Sequence, residues 1–79
     1  MKPQDEQQTL GTMMLSGNVD ESVEFGDLRH YAIHHTLIAM KKTGANIDLV
    51  SVKEWLKRRN LLERVGSMNY LVTLAESVP

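Results

Sequence analysis

The 79-residue chain has a mass of 9.0 kDa, with 42% hydrophobic and 24% charged residues, a net charge of −1 and no cysteine. A second core would need roughly 50 more residues, so one domain spanning 1–79 is expected. The absence of cysteine excludes disulfides, thiolate metal cages and a cysteine nucleophile.

A single core of this size leaves a net stability of only about 3–5 kcal/mol, so oligomerisation or a larger parent protein is the expected support. No apolar stretch approaches the roughly 18 residues of a membrane span. The start Met-Lys-Pro-Gln-Asp-Glu has no apolar leader, and a cytoplasmic, membrane-free protein is expected. Charge is unevenly spread. Lys2 and Arg29 oppose six carboxylates in residues 1–40, a net −4, whereas seven basic groups oppose four acidic ones in residues 41–79, a net +3. Such a dipole can orient a partner without setting the fold.

Helical signals dominate, and about five short helices in a compact orthogonal all-α bundle are predicted. In Gln4–Ser16, Gln7, Leu10 and Met14 recur at i, i+3, i+7 with Met13 alongside, and Pro3 suits a first turn. Gly11 borders that apolar face, where a missing side chain admits a second helix closely. After Gly17-Asn18, Val19 and Val23 at i, i+4 behind Asp20 and Glu21 predict a short second helix reaching Phe25.

Asp27 is the expected N-cap of a third helix, with His30, Ile33, His34, Leu37 and Met40 on one side and Lys41, Lys42 and Gly44 closing it. Leu49, Val52 and Leu56 define a fourth, capped by Asp48 or by a competing Ser51-x-x-Glu54 box, and ending near Asn60. Leu61–Gly66 reads as a tight apolar connection. Ser67 is then expected to cap a last helix carrying Tyr70, Leu71, Leu74, Ala75 and Val78 as a stripe that runs almost to Pro79, where the chain looks cut from a longer protein.

No phosphate-cradling glycine loop and no nucleophile elbow is present, so no catalytic residues and no cofactor are assigned. Asp27, His30 and His34 at i, i+3, i+7, with His35 beside them, are the only metal-like spacing. The simpler reading outweighs it: Asp27 caps the helix and accepts from His30, while His34 pairs with backbone, and no metal is assigned. Lys53, Lys57, Arg58, Arg59 and Arg64 near Trp55 make a surface able to contact nucleic acid, although a solvated helix C-terminus explains the run more simply. Met14 is expected in the core. Trp55 is balanced between boundary packing and partner contact, as large aromatics on a small domain are anchors or interface hot spots.

Taken in order, Glu6-Gln7-Gln8-Thr9-Leu10-Gly11, Asp27-Leu28, a helix with His30 and Ile33, Ile47-Asp48-Leu49-Val50-Ser51-Val52, Leu62-Glu63-Arg64-Val65-Gly66, Tyr70-Leu71 and Val78-Pro79 form one pattern. It resembles the N-terminal domain of bacterial and phage replicative DNA helicases of the DnaB type, over nearly the whole chain. Leu28 stands where that family has Phe, Ser67 where it has a second Gly, and the 27–44 segment is shorter. His30 matches the family histidine with a gap just before it, and His34 is the rival match.

The resemblance implies a non-enzymatic all-α head, which in the parent helicase forms a collar of paired subunits above ATP-driven motor domains. ATP and Mg belong to that motor. It further implies docking of the primase C-terminal domain, contacts with other helicase subunits and engagement by a helicase loader. Tyr70 is the foremost expected partner-facing residue, with core packing of its ring as the rival reading. Gln4, Glu6 and Gln7 follow, and Trp55 is added from its chemistry. The alternative is a small helical nucleic-acid-binding module using the basic half.

Overall fold

In a computed structural model the described residues are 3–78, with side chains described from residue 5 to 78. They form four α-helices, α1 Pro3–Ser16, α2 Leu28–Lys42, α3 Leu49–Arg58 and α4 Ser67–Glu76, and no strand. None of these helices is long and apolar enough to cross a membrane. The core comprises Leu10, Met13 and Met14 from α1, Ile33, Leu37 and Met40 from α2, Val52 and Leu56 from α3, and Leu71 and Leu74 from α4, closed by Val19, Phe25 and Val65. Trp55 is half-buried against that core.

Helix α1 packs on all three of the others, most extensively on α4. The reason lies at Gly11, where an added Cβ would overlap the Leu74 carbonyl oxygen and lie 2.9 Å from Val78 Cγ2. Two backbones approach there because one position has no side chain, as its place beside the apolar stripe predicts. Helices α2 and α4 share no Cα approach within 8 Å among the described residues, and His30 and Tyr70 bridge them through their side chains.

Helix boundaries follow from hydrogen-bonding groups the sequence places at them. Asp27 Oδ1 accepts from the Arg29 N–H at 2.8 Å and Asp48 Oδ1 from the Ser51 N–H at 2.8 Å, so Asp48, and not the Ser51 box, starts α3. That N–H holds the Asp48 carboxyl below its ordinary value. At the end of α2, Ala45 N–H donates to Met40 O and Gly44 N–H to Lys41 O, with Gly44 at φ +76. The pair is a Schellman closure. The same closure ends α3 with Asn60 at φ 58, where Leu61 N–H reaches Leu56 O and Asn60 N–H reaches Lys57 O.

Three expectations are corrected. Residues 19–27 form no helix, leaving four helices in place of about five. The carbonyls of Val19 and Asp20 are taken by Lys41 Nζ at 3.1 Å and His34 Nε2 at 2.9 Å, and the Ser22 N–H by Asp20 Oδ1 at 2.9 Å. Both carbonyls are those an α-ladder would need, and so short a helix has little cooperativity of its own. Val19 and Phe25 are nevertheless buried, as the apolar spacing required.

Ser67 makes no capping bond. Gly66 at φ 102 is the N-cap of α4, and Ser67 itself sits at φ 63. Ser67 N–H instead donates to Leu62 O and Gly66 N–H to Glu63 O, closing a helical turn just before α4. Helix α4 also stops at Glu76 rather than running on through Val78, with Ser77 as its C-cap.

Candidate functional site

The first turn of α1 carries Glu6 on the core face, four residues before Leu10. Its side chain is 4% exposed and its carboxylate accepts three hydrogen bonds. Glu6 Oε2 accepts from Gly26 N–H at 3.0 Å, and Glu6 Oε1 from Asp27 N–H at 3.3 Å and from His30 Nδ1 at 2.8 Å. These donors, His30 foremost and then Gly26, outweigh the desolvation cost and hold the Glu6 carboxyl below its ordinary value of 4.5.

The buried His30 ring spans from α1 to α4. An ionised Glu6 can only accept, so the ring proton facing it is assigned to Nδ1. On the far side Nε2 lies 2.6 Å from the Tyr70 hydroxyl, which donates to it when the ring is neutral. Gln7 Nε2 then donates to the Tyr70 oxygen at a longer 3.4 Å. The result is a consistently directed chain from Gln7 through Tyr70 and His30 to Glu6, which ties α1, α4 and α2 together. No buried side-chain polar atom among the described residues lacks a partner.

Tyr70 is half-buried, and Arg29 lies over its ring with the guanidinium carbon 4.3 Å from the centroid. Arg29 is itself held by Asp27, with Nη2 at 2.9 Å from Oδ2 and Nε at 3.2 Å from Oδ1. That pairing, chiefly the side-chain bond, brings the Asp27 carboxyl down to about 2. The partner expected of Asp27 was His30. Proximity along the helix suggested it, but the cap turns the Asp27 carboxylate toward Arg29 and leaves His30 to Glu6.

The structure therefore brings Glu6, Gln7 and Tyr70 into one cluster and adds His30 and Arg29. Trp55 does not join it, and the side chain of Gln4 lies outside the described residues. The burial of Glu6 was foreshadowed by its spacing, since Glu6, Leu10 and Met13 lie at i, i+4, i+7 on the apolar face. Of the two histidines, His30 reaches Glu6 and Tyr70. His34 donates from Nε2 to the Asp20 carbonyl and packs edge-on to Phe25 with centroids 4.9 Å apart. His30 and His34 thus serve separate structural roles, and no group of three or more ligating residues is placed to hold a metal among the described residues.

At the far end of α3, Lys57, Arg58 and Arg59 are exposed, as is Arg64 beyond it, and none reaches an acidic partner among the described residues. Lys53 is half-buried and lies 3.9 Å from Glu54.

Comparison with known proteins matches the sequence and the fold to one family. The model for the DnaB-like helicase N-terminal domain matches residues 1–79. The chain is 37% identical over 87 aligned positions to the replicative DNA helicase DnaB of Mycobacterium leprae, covering 98% of this chain and 14% of that protein. It is 36% identical over 56 residues to the replicative DNA helicase DnaC of Bacillus subtilis, covering 71% of this chain and 12% of that one. The chain thus spans about one-seventh or less of the length of these relatives.

The crystal structure of the N-terminal domain of DnaB helicase from Mycobacterium tuberculosis superposes with a TM-score of 0.91 at 32% identity, over 100% of this chain and 60% of that one. A four-helix head with that sequence and that fold belongs to the DnaB-like helicase N-terminal domain family.

Proposed function

We propose that the chain is the protein-interaction and assembly head of a replicative DNA helicase, which docks the C-terminal domain of primase and helps form the N-terminal collar with other helicase subunits. The carrying observation is the match, in sequence and fold over the whole of this chain, to part of a DnaB N-terminal domain. In this reading ATP and Mg act in a motor domain elsewhere in the helicase, a loader is a further partner, and the setting is the cytoplasm.

Tyr70 is the favoured contact. Its hydroxyl is fixed by His30, and one face of its ring by Arg29, so little side-chain freedom is left to lose on binding. Glu6 contributes through His30 rather than by touching a partner, because its carboxylate is fully engaged inside. Gln7 lies at the edge of the same patch, while Gln4 remains a proposed contact from the resemblance and Trp55 from its chemistry.

The test is a titration of the isotope-labelled chain with the cognate primase C-terminal domain, followed by amide NMR, with single-stranded and duplex DNA in parallel. Shifts around Tyr70 with primase, and a loss of over about 1 kcal/mol in binding on Tyr70→Ala with the fold intact, support the docking role. DNA-induced shifts at Lys57, Arg58, Arg59 and Arg64 with none from primase replace it by a nucleic-acid-binding module, which the unpaired basic groups favour. Salt separates the two, since a complex through about five phosphate contacts loses well over tenfold in affinity between about 50 and 200 mM.

A further inference from the structure

Beside Arg29 a groove opens between the start of α2 and the turn before α4. Ala32, Leu61 and Val65 line its apolar part. Leu28, the first residue of α2, stands at its rim with 83% of its surface exposed, the most exposed of the large apolar residues described. Two charged side chains line the groove, Arg29 and Arg64, and both are basic. Arg29 is paired with Asp27, whereas Arg64 is exposed and meets no carboxylate among the described residues. Neither feature costs the free chain much, but set side by side they offer apolar surface and an unpaired positive charge to one complementary occupant.

We infer that this groove is a docking site for an acidic amphipathic segment of a partner protein, which seats an apolar side chain between Leu28 and Leu61 and turns a carboxylate to Arg64. The inference rests on reading the chain as a docking head and adds to it a surface and the chemistry of what that surface takes. The site is continuous with the Tyr70 patch, because Arg29 lines the groove and also covers the Tyr70 ring. A partner segment in the groove therefore lies beside the guanidinium that covers Tyr70. A basic segment is disfavoured by the unpaired Arg64, and DNA gains nothing from the apolar floor.

The experiment titrates the isotope-labelled 79-residue chain with a synthetic amphipathic peptide bearing leucines along one face and glutamates on its flanks. A counterpart with lysine for every glutamate runs beside it. Amide shifts confined to Leu28, Ala32, Leu61, Arg64 and Val65 with the glutamate peptide, and about tenfold weaker binding of the lysine peptide, are expected.

Arg64→Glu should reverse that preference, and Leu28→Asp should abolish the shifts while leaving the melting midpoint unchanged, since Leu28 is exposed. Arg64→Glu serves as the independent variant if Leu28→Asp perturbs folding. Equal binding of the two peptides, or shifts elsewhere on the chain, overturns the inference. So does a concentration-dependent dimer that Leu28→Asp dissolves, which would put a second copy of the chain in the groove. Primase shifts that avoid the groove, with no response to the glutamate peptide, remove the groove and spare the docking role. A glutamate peptide that binds while primase shifts nothing has the opposite meaning.

Discussion

Two connections in this small bundle solve the same problem by different physics. Between α1 and α2, residues 17–27 hold two buried apolar anchors, Val19 and Phe25, and are tied down by side chains from other elements: Glu6, His34 and Lys41. Between α3 and α4, residues 59–66 are shaped by their own backbone, through successive i to i−5 bonds and positive φ at Asn60 and Gly66. A turn built from its own N–H and C=O groups is local and carries its signal in Gly and Asn. The loop held from outside has local signals only near its start, Gly17 at φ 75 and the Asp20–Ser22 turn, while the placement of the rest belongs to residues far away in sequence.

The sharpest way to break this comparison is through α1, which supplies the anchor of the first connection and packs on α4 beyond the second. Gly11→Ala places a methyl group onto the Leu74 carbonyl, so α1 must move off α4. A loss of about 3 kcal/mol and of more than about 10 °C in Tm is expected in a thermal melt. An unchanged midpoint would show that the close crossing is not required.

Glu6→Ala comes next. It leaves the Gly26 and Asp27 N–H groups and His30 Nδ1 without their acceptor, a loss of about 2–3 kcal/mol by chemical denaturation. Amide exchange should accelerate at Gly26 and Asp27 more than at Leu61 and Ser67. Equal acceleration in both places would erase the distinction between the two connections.

Acid tests the same anchor without mutation and more mildly, since a protonated Glu6 still fills its site. Glu6 and Asp27 both have folded values below their ordinary values of 4.5 and 3.8, Asp27 at about 2. Their stabilisation is therefore complete above those ordinary values and is lost as the pH falls below them toward the folded values. The denaturant midpoint should fall between about pH 5 and pH 2, and Glu6→Gln should flatten the upper part of that fall. A pH-independent midpoint in the wild-type chain would contradict the buried acceptor.

Ser67→Gly has the smallest expected effect and the opposite sign. Ser67 sits at φ 63 without a capping bond, a conformation that glycine adopts freely. A gain of about 1 kcal/mol, read as a Tm rise of about 4–8 °C, is expected. A drop would mean that the serine contributes something beyond its backbone.

Much of the scaffold was legible in the sequence because its causes are local. Periodicity marked α1 to α4, Asp27 and Asp48 marked two starts, and Gly44 marked an end. Gly11 marked a close crossing before its partner was known. The second predicted helix failed for an equally specific reason: the apolar spacing at Val19 and Val23 reports burial, which the loop achieves without an α-ladder.

The cluster was legible only in its parts. Glu6, Gln7 and Tyr70 stood out singly, but that His30 joins them, and that Asp27 chooses Arg29, depends on distances across helices. The resemblance of the ordered motifs to the helicase head, which the family match bears out, carried more about identity than any residue pattern alone.

By itself, then, the sequence determined an all-helical fold and its family, since helical period, caps and ordered motifs act within a few residues of one another. Only the tertiary structure decided that residues 17–27 are a pinned loop, and that Glu6 is an interior acceptor rather than a surface acid. It also decided that Tyr70 is held from behind by His30 while Arg29 covers its face. Each of these depends on groups 14 to 63 residues apart being brought into contact. A short-range pattern cannot encode such a distance, because it is set by how the helices pack.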